Sequence, residues 1–337
     1  ETPDSKNLRF INTECSPSHL FGNLVESEEK IYYIHNSEIQ PRVIVIDKKL
    51  LESSTNQERL AEFITKLNGV EVLQYSAIKK VRINGNEYIA VGLNGGFKIW
   101  SLDGNRLLFQ ATNSNIINFK PYSVHAISDR RYTKGGKTVD YVVFGDSHGL
   151  ITQCYLTETF STIQLYRHKK ELTVTAMTSH ENTGVLVTGF ENGQIIVLDG
   201  DSEKTVSELQ QIDNEYNLPV VSMISISSKD AFVAGYLNGE IRVFSYTALQ
   251  LMYIYQAHLK SITSLFAYEN YFVSTGDDAF VNVYKIDNNK FDIVRNIGVP
   301  NKNPVGAILT KVHGKISLLC CHFDSPMIGM CEGVLEK

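Results

Sequence analysis

The chain has 337 residues, 43% of them apolar and 20% charged, with a formal net charge of −5. These are globular values, which exclude disorder, collagen and coiled coil as whole-chain readings. The acidic balance argues against a basic nucleic-acid binder, and no apolar run approaches the ~20 residues of a membrane helix.

In chain order, residues 7–12 read as a strand with no evident local partner. Residues 20–25, 30–35 and 42–46 then read as short strands of a first unit. Residues 53–69 break the pattern. Leu60, Phe63, Ile64 and Leu67 recur at helical spacing, Thr55 with Glu58 fits a capping box, and Asn68 with Gly69 fits a C-terminal cap. This predicts a short amphipathic helix inserted at the unit's outer edge, with an irregular outer strand as the alternative.

Five self-similar hairpins follow. They are YIAVGLNGGFKIW at 88–100, YVVFGDSHGLITQCY at 141–155, VLVTGFENGQIIVL at 185–198, AFVAGYLNGEIRVF at 231–244 and YFVSTGDDAFVNVY at 271–284. Each is an apolar strand, a glycine, a few mostly polar residues and a second apolar strand. The leading glycines are Gly92, Gly145, Gly189, Gly235 and Gly276. They lie about 45 residues apart, room for four strands per repeat. Asn-Gly at 94–95, 192–193 and 238–239 supplies the positive φ of a tight hairpin turn. Residues 305–310, 316–322 and 327–331 read as three strands of a last unit, and the strand at 7–12 is the natural fourth. Pairing them removes an exposed sheet edge. The count is seven units.

The units resemble WD-repeat β-propellers with a degenerate signature. The Trp-Asp dipeptide never occurs, and Trp100, Leu198, Phe244 and Tyr284 stand at the tryptophan position, with Cys154 or Tyr155 there in the third unit. The resemblance implies that His258, Ser274, Asp278 and Tyr284 form the family's structural hydrogen-bond set, with Tyr284 in place of tryptophan. It implies an all-β fold: one seven-bladed propeller over 1–337, closed by strand 7–12 completing the last blade at 304–331. It also implies a cytoplasmic, non-catalytic scaffold tied to signalling or ciliary complexes.

The chemical motifs have plainer readings. Gly145, Asp146, Ser147, His148 and Gly149 match a G-x-S-x-G nucleophile elbow, but a strand follows where a hydrolase needs a helix, and both glycines keep the hairpin register. Gly135, Gly136, Lys137 and Thr138 lack the first P-loop glycine, since position 131 is arginine. Cys320 and His322 share a strand face while Cys321 takes the other, which leaves two near ligands where structural zinc takes four. No metal or cofactor is implied. The five cysteines are scattered, and no Asn-x-Ser/Thr acceptor occurs, as expected for a reducing compartment. Two basic clusters, Arg130, Arg131, Lys134 and Lys137, and Arg167, His168, Lys169 and Lys170, read as solvated loop charge.

The hairpin tips carry the functional expectation. The residues after the leading glycines are Leu93, Asp146, Phe190, Tyr236 and Asp277. Family geometry places these turns on the face where propellers bind peptides. Phe190 and Tyr236 are bulky aromatics where turns favour polar residues, so they are the expected partner-binding anchors. The expected partners are other proteins, with no nucleic acid and no membrane span; self-association stays open. Two alternatives are a reader of short modified peptides at the channel mouth, which predicts an aromatic cage or a basic pocket, and an enzyme using Asp146, His148, Asp277 and Asp278.

Overall fold

The computed structural model describes residues 8–36, 41–52, 61–64, 74–112, 122–134, 136–199, 207–212, 217–287, 290–323 and 325–336. Within them the chain forms seven four-stranded sheets. Strand β1 (Leu8–Asn12) comes first. Blade one is β2 (Val25–Glu26), β3 (Lys30–Asn36), β4 (Pro41–Asp47) and β5 (Ala61–Ile64), with a short helix α1 (Lys48–Glu52) after β4. Blade two is β6 (Tyr75–Ile83), β7 (Asn86–Leu93), β8 (Gly96–Ser101) and β9 (Leu107–Thr112). Blade three is β10 (Val124–Lys134), β11 (Lys137–Asp146), β12 (Leu150–Leu156) and β13 (Phe160–Arg167). Blade four is β14 (Val174–Ser179), β15 (Leu186–Phe190), β16 (Ile195–Asp199) and β17 (Ser207–Ile212). Blade five is β18 (Val220–Ile226), β19 (Ala231–Tyr236), β20 (Glu240–Ser245) and β21 (Leu251–Gln256). Blade six is β22 (Ile262–Tyr268), β23 (Tyr271–Gly276), β24 (Phe280–Asp287) and β25 (Lys290–Gly298). Blade seven is β26 (Pro304–Val312), β27 (Lys315–His322) and β28 (Ser325–Cys331), with β1 as its fourth strand.

The chain forms two compact units. The first comprises residues 1–72, 238–240 and 255–337, and holds blades six, seven and one. There β1 runs antiparallel to β28, with Leu8 opposite Cys331 and Asn12 opposite Met327. The inward residues of blades seven and one meet in one core, where Tyr33, Ile44 and Ile46 pack with Ile308, Leu319 and Ile328. Val273, Val281 and Val283 of blade six pack with Leu309 and Leu318 in another. The second unit comprises residues 73–237 and 241–254, with blades two to four and most of blade five. Its blades are joined by apolar and aromatic packing, such as Phe97 stacked on Phe144 at 3.6 Å.

The repeated glycine is a packing device. A Cβ at Gly145 would lie 2.3 Å from the Val174 side chain, and one at Gly189 would lie 2.8 Å from Val220. Each contact is with the first strand of the next blade, which approaches too closely for any side chain. The ladder corrects the sequence register in blade six. Ala126, Ala176 and Ser222 lie opposite Gly145, Gly189 and Gly235. In blade six Ser264 lies opposite Thr275, not Gly276, and in blade seven Gly306 lies opposite Cys321. Cys321 bonds the next blade directly, and Thr275 reaches it through Thr263 of its own blade. Thr275 Oγ1 lies 2.7 Å from Thr263 Oγ1, which donates to the Pro304 carbonyl at 2.7 Å. Cys321 Sγ donates to the Asn23 carbonyl at 3.2 Å.

Three expectations need correction. Of the helix expected at 53–69, residues 61–64 are instead β5, antiparallel to β4 with Ala61 opposite Ile46 and Ile64 opposite Val43. A strand there satisfies the outer edge of β4, which a helix would leave unpaired. Residues 53–60 and 65–69 lie outside the described residues; among the described residues the α-helix is α1, just upstream. The strand expected at 20–25 shrinks to β2, because a side chain replaces its ladder, as described below. The first basic cluster is largely strand: Arg130 is fully buried and donates to Gln153 Oε1 at 2.8 Å, and Arg131 pairs with Asp140 at 2.7 Å.

Candidate functional site

The four residues of the expected hydrogen-bond set meet in blade six. His258 Nδ1 lies 2.9 Å from Asp278 Oδ1, and its Nε2 lies 2.7 Å from Ser274 Oγ. Ser274 Oγ is 3.3 Å from the Tyr284 hydroxyl. Asp278 also accepts from the Leu259 and Phe280 backbone N–H groups at 2.8 and 3.3 Å. Burial works to raise the Asp278 pKa, but the His258 hydrogen bond and charge and the two backbone donors outweigh it and hold the group below its usual range. Tyr284 stacks on Phe272 at 4.4 Å, so it fills the tryptophan position as an aromatic wall with a polar end. The arrangement pins the loop before β22 to the β23–β24 turn. His168, counted with the solvated charges of the second basic cluster, occupies the matching place in blade four. It is buried, and its Nε2 lies 2.9 Å from Gln194 Oε1.

The expected docking anchors fall elsewhere. Phe190, Tyr236 and Leu93 are at most 1% exposed. Phe190 packs with Val143, Ile151 and Ile196, and Tyr236 with Val187, Ile195 and Val220. Arg242 covers the Tyr236 ring at 4.6 Å. Asp146 is also buried, and its Oδ1 accepts from the His148 and Leu150 backbone N–H groups at 2.8 and 2.9 Å. These side chains cannot touch a partner; they are the last ladder residues of their strands. Leu93, Asp146, Phe190 and Tyr236 lie opposite Tyr75, Val124, Val174 and Val220. In the same column, Ile262 lies opposite Gly276 and Pro304 opposite His322. The true tips are therefore one residue further on.

One hydrogen bond identifies them. The backbone N–H groups of Asn94, Ser147, Glu191, Leu237, Asp277 and Phe323 each donate to the carbonyl just before their blade's first strand, at 2.9–3.2 Å, the partners being Gln74, Ser123, Thr173, Pro219, Ser261 and Asn303. Asp277 stands in this column although it directly follows Gly276, because Thr275, not Gly276, holds the leading-glycine position of blade six. Phe323 belongs to a hairpin with no glycine signature.

In the first unit, two of these tips gather with the loop before β2. The His19 ring meets Phe323 edge to face at 5.2 Å and tilts against Phe21 at 6.4 Å. His19 Nε2 lies 4.0 Å from Asp277 Oδ1. Phe21 is 47% exposed and Phe323 43%. Two phenyl rings, an imidazole and a carboxylate thus form one solvent-facing patch. Among the described residues, no hydrogen bond reaches the Asp277 carboxylate, and 4.0 Å is too long for one. Leu259, the most exposed large apolar residue described, lies on the neighbouring loop, whose backbone is bonded to Asp278.

The loop carrying His19 and Phe21 is held firmly. Asn23 is fully buried, and its amide donates to the Ser18 and Ile34 carbonyls at 2.9 Å each. Its Oδ1 accepts from the Ile34 N–H at 2.7 Å. The side-chain amide therefore does for Ile34 what a strand backbone would do, which is why β2 is short. Gly22 N–H bonds the Thr263 carbonyl at 2.9 Å and Asn23 N–H the Val305 carbonyl at 3.0 Å. The aromatic patch thus stands on pinned backbone from blades one, six and seven.

Other chemistry finds no second focus. Ser147 Oγ accepts from the Ser123 N–H at 3.1 Å, a turn contact. Among the described residues, no group of three His, Cys, Asp or Glu side chains is placed to hold a metal ion, and no helix is long and apolar enough to cross a membrane. The five cysteines are free thiols, and burial pushes the Cys154 thiol up to about 12.

No family model and no curated protein matches the chain. Solved structures do. A chain of the mitotic checkpoint complex aligns with a TM-score of 0.71 at 13% identity, over 98% of this chain and 94% of its own. Chaetomium thermophilum Raptor aligns with a TM-score of 0.67 at 15% identity, over 95% of this chain and 28% of its own. The fold is an all-β, seven-bladed propeller.

Proposed function

We propose that the chain is a non-catalytic interaction scaffold that binds protein partners through the turn face of its first unit. The observation that carries this reading is the exposed patch of Phe21, Phe323, His19 and Asp277 on hydrogen-bonded turns. Exposed aromatic rings on pre-set backbone bind with little ordering cost, and such rings dominate interface energetics. The fold likeness to a chain of a multiprotein complex supports the same class.

At a finer level, the hairpins over 231–288 resemble those of WD repeat-containing protein 54, and the resemblance extends more weakly towards both ends. It implies a scaffold in signalling or ciliary assemblies. Imaging of the tagged chain in ciliated cells checks that setting. Residues 1–337 are also proposed to act as one domain, which predicts a single calorimetric transition; two separated transitions refute it.

The test is a pull-down with mass spectrometry, comparing the wild type with a Phe21→Ser/Phe323→Ser variant of equal thermal stability. Partners present with the wild type and lost with the variant support the reading. Partners retained by the variant overturn the patch as the binding surface.

A further inference from the structure

We infer that the patch of Phe21, His19, Phe323 and Asp277 receives a basic side chain, an arginine or lysine of a partner protein. The inference rests on the docking reading above and adds the chemistry of what docks. Three observations lead to it. The rings of Phe21 and Phe323 are about half exposed, one on each residue's own turn, and both border the His19 imidazole. The Asp277 carboxylate stands beside that imidazole with no hydrogen-bond donor from the described residues. The turns are fixed by the backbone bonds of Asp277 to Ser261 and Phe323 to Asn303.

The class of ligand follows from what each alternative leaves unpaired. An apolar side chain would cover the rings but dehydrate a carboxylate whose nearest described neighbour of possible positive charge, the His19 imidazole at 4.0 Å, is beyond hydrogen-bond reach, and that dehydration costs free energy. An acidic side chain would add like-charge repulsion to the same cost. A lysine or arginine meets both requirements at once. Its methylene stem lies on the phenyl rings, and its cation takes the carboxylate, with the ring faces adding cation–π attraction. Arginine suits the site better than lysine, because its planar guanidinium stacks on a ring while its N–H groups bond the carboxylate.

The experiment pans a phage-displayed library of random dodecapeptides against the full 337-residue chain. Selected peptides are synthesised and their affinities measured by calorimetry. The proteins are the wild type, Asp277→Asn and Phe21→Ser/Phe323→Ser; all substituted side chains are part-exposed, so folding is checked by thermal unfolding and is expected to be unchanged. The inference predicts peptides that bind through the patch, share an arginine or lysine, and weaken about tenfold with Asp277→Asn. Replacing that arginine by citrulline should weaken binding equally in the wild type and have little further effect in Asp277→Asn. Peptides that need the two phenyl rings but share no basic residue, or ignore Asp277→Asn, overturn the cation inference and leave the docking surface standing. Peptides that bind the double serine variant as well as the wild type, or no selected peptide at all, overturn both.

Discussion

Replacing Asn23 by alanine tests whether one side-chain amide substitutes for a strand. In the native chain this amide donates to the Ser18 and Ile34 carbonyls and accepts from the Ile34 N–H, all at 2.7–2.9 Å and with no solvent exposure. The Ile34 carbonyl keeps a second donor, the Ser18 N–H at 2.9 Å. The Ile34 N–H keeps none in its place, because β2 starts only at Val25, opposite Tyr32, and does not reach it. Leaving that buried donor unmet costs on the order of 1–3 kcal/mol, and losing the two donated bonds adds about 1 kcal/mol more, so roughly 3 kcal/mol in all. Urea unfolding of wild type and variant should differ by that amount. Hydrogen exchange gives the local signature: the Ile34 amide should exchange about 100-fold faster, with the loop carrying His19 and Phe21 opening alongside it. Asn12→Ala serves as the control, since among the described residues its side chain bonds only the exposed Glu14 N–H. A loss below about 1 kcal/mol, with Ile34 exchange unchanged, would refute the strand-substitute argument.

Other variants probe the packing and the register. Phe190→Ala should destabilise the fold by about 3–5 kcal/mol in chemical unfolding, because the ring is wholly buried; a stable variant that loses only partner binding would restore Phe190 as a docking anchor. Gly145→Ala places a Cβ 2.3 Å from Val174 and should cost about 1–3 kcal/mol. Gly136→Ala faces open space at φ +78° and should cost about 1 kcal/mol or less from backbone strain alone. Equal losses in these two would undo the blade-packing account of the repeated glycine. His313 gives a pH test. Its Nδ1 lies 2.9 Å from the Glu332 carboxylate and its Nε2 3.0 Å from the Glu52 carbonyl, and its backbone N–H bonds the Glu52 carboxylate at 3.1 Å. Both ring nitrogens face acceptors, which favours imidazolium and raises the pKa, first through the Glu332 bond and then through Glu52. A raised folded-state pKa means the stabilisation is complete below the unfolded value and disappears as pH rises through the folded one. The melting-temperature gap between wild type and His313→Gln should therefore be wider at pH 5.5 than at pH 9, and a gap independent of pH would contradict the clasp.

The fold was legible because each blade repeats the same physical problem. Strand alternation, turn glycines and the spacing between hairpins come from local backbone requirements, and five copies of one pattern reinforce each other. Even the partnership of residues 8–12 with the last blade could be reached by asking which strand lacked a neighbour. The helix expected at 53–69 failed for the converse reason. Leu60, Phe63, Ile64 and Leu67 fit a helical stripe, but over 61–64 the need to pair the edge of β4 is a tertiary demand that short-range spacing does not contain.

The turn tips lie one residue beyond the positions that the leading glycines indicate. In the sequence the glycine looks like the start of a turn, whereas in the fold it admits the next blade's first strand. Where that contact is made by a hydrogen bond, through Thr263 beside Thr275 and at Cys321, the glycine is not required and the landmark moves or disappears. Gly276 then attracted the alignment, and blade seven offered no landmark. Phe323 was hidden for that reason, although its neighbours hold the evidence: Pro304 lies opposite His322 as Val174 lies opposite Phe190. Counting from the first strand instead of from the glycine puts Phe323 in the column that holds Asn94, Ser147 and Glu191 in other blades. An exposed phenyl ring in a column that otherwise holds Asn94, Ser147, Glu191 and Asp277, with Leu237 its one other apolar residue, is the anomaly that points to binding. The aromatic at Phe190 was no anomaly at all, because one residue earlier the column faces the core.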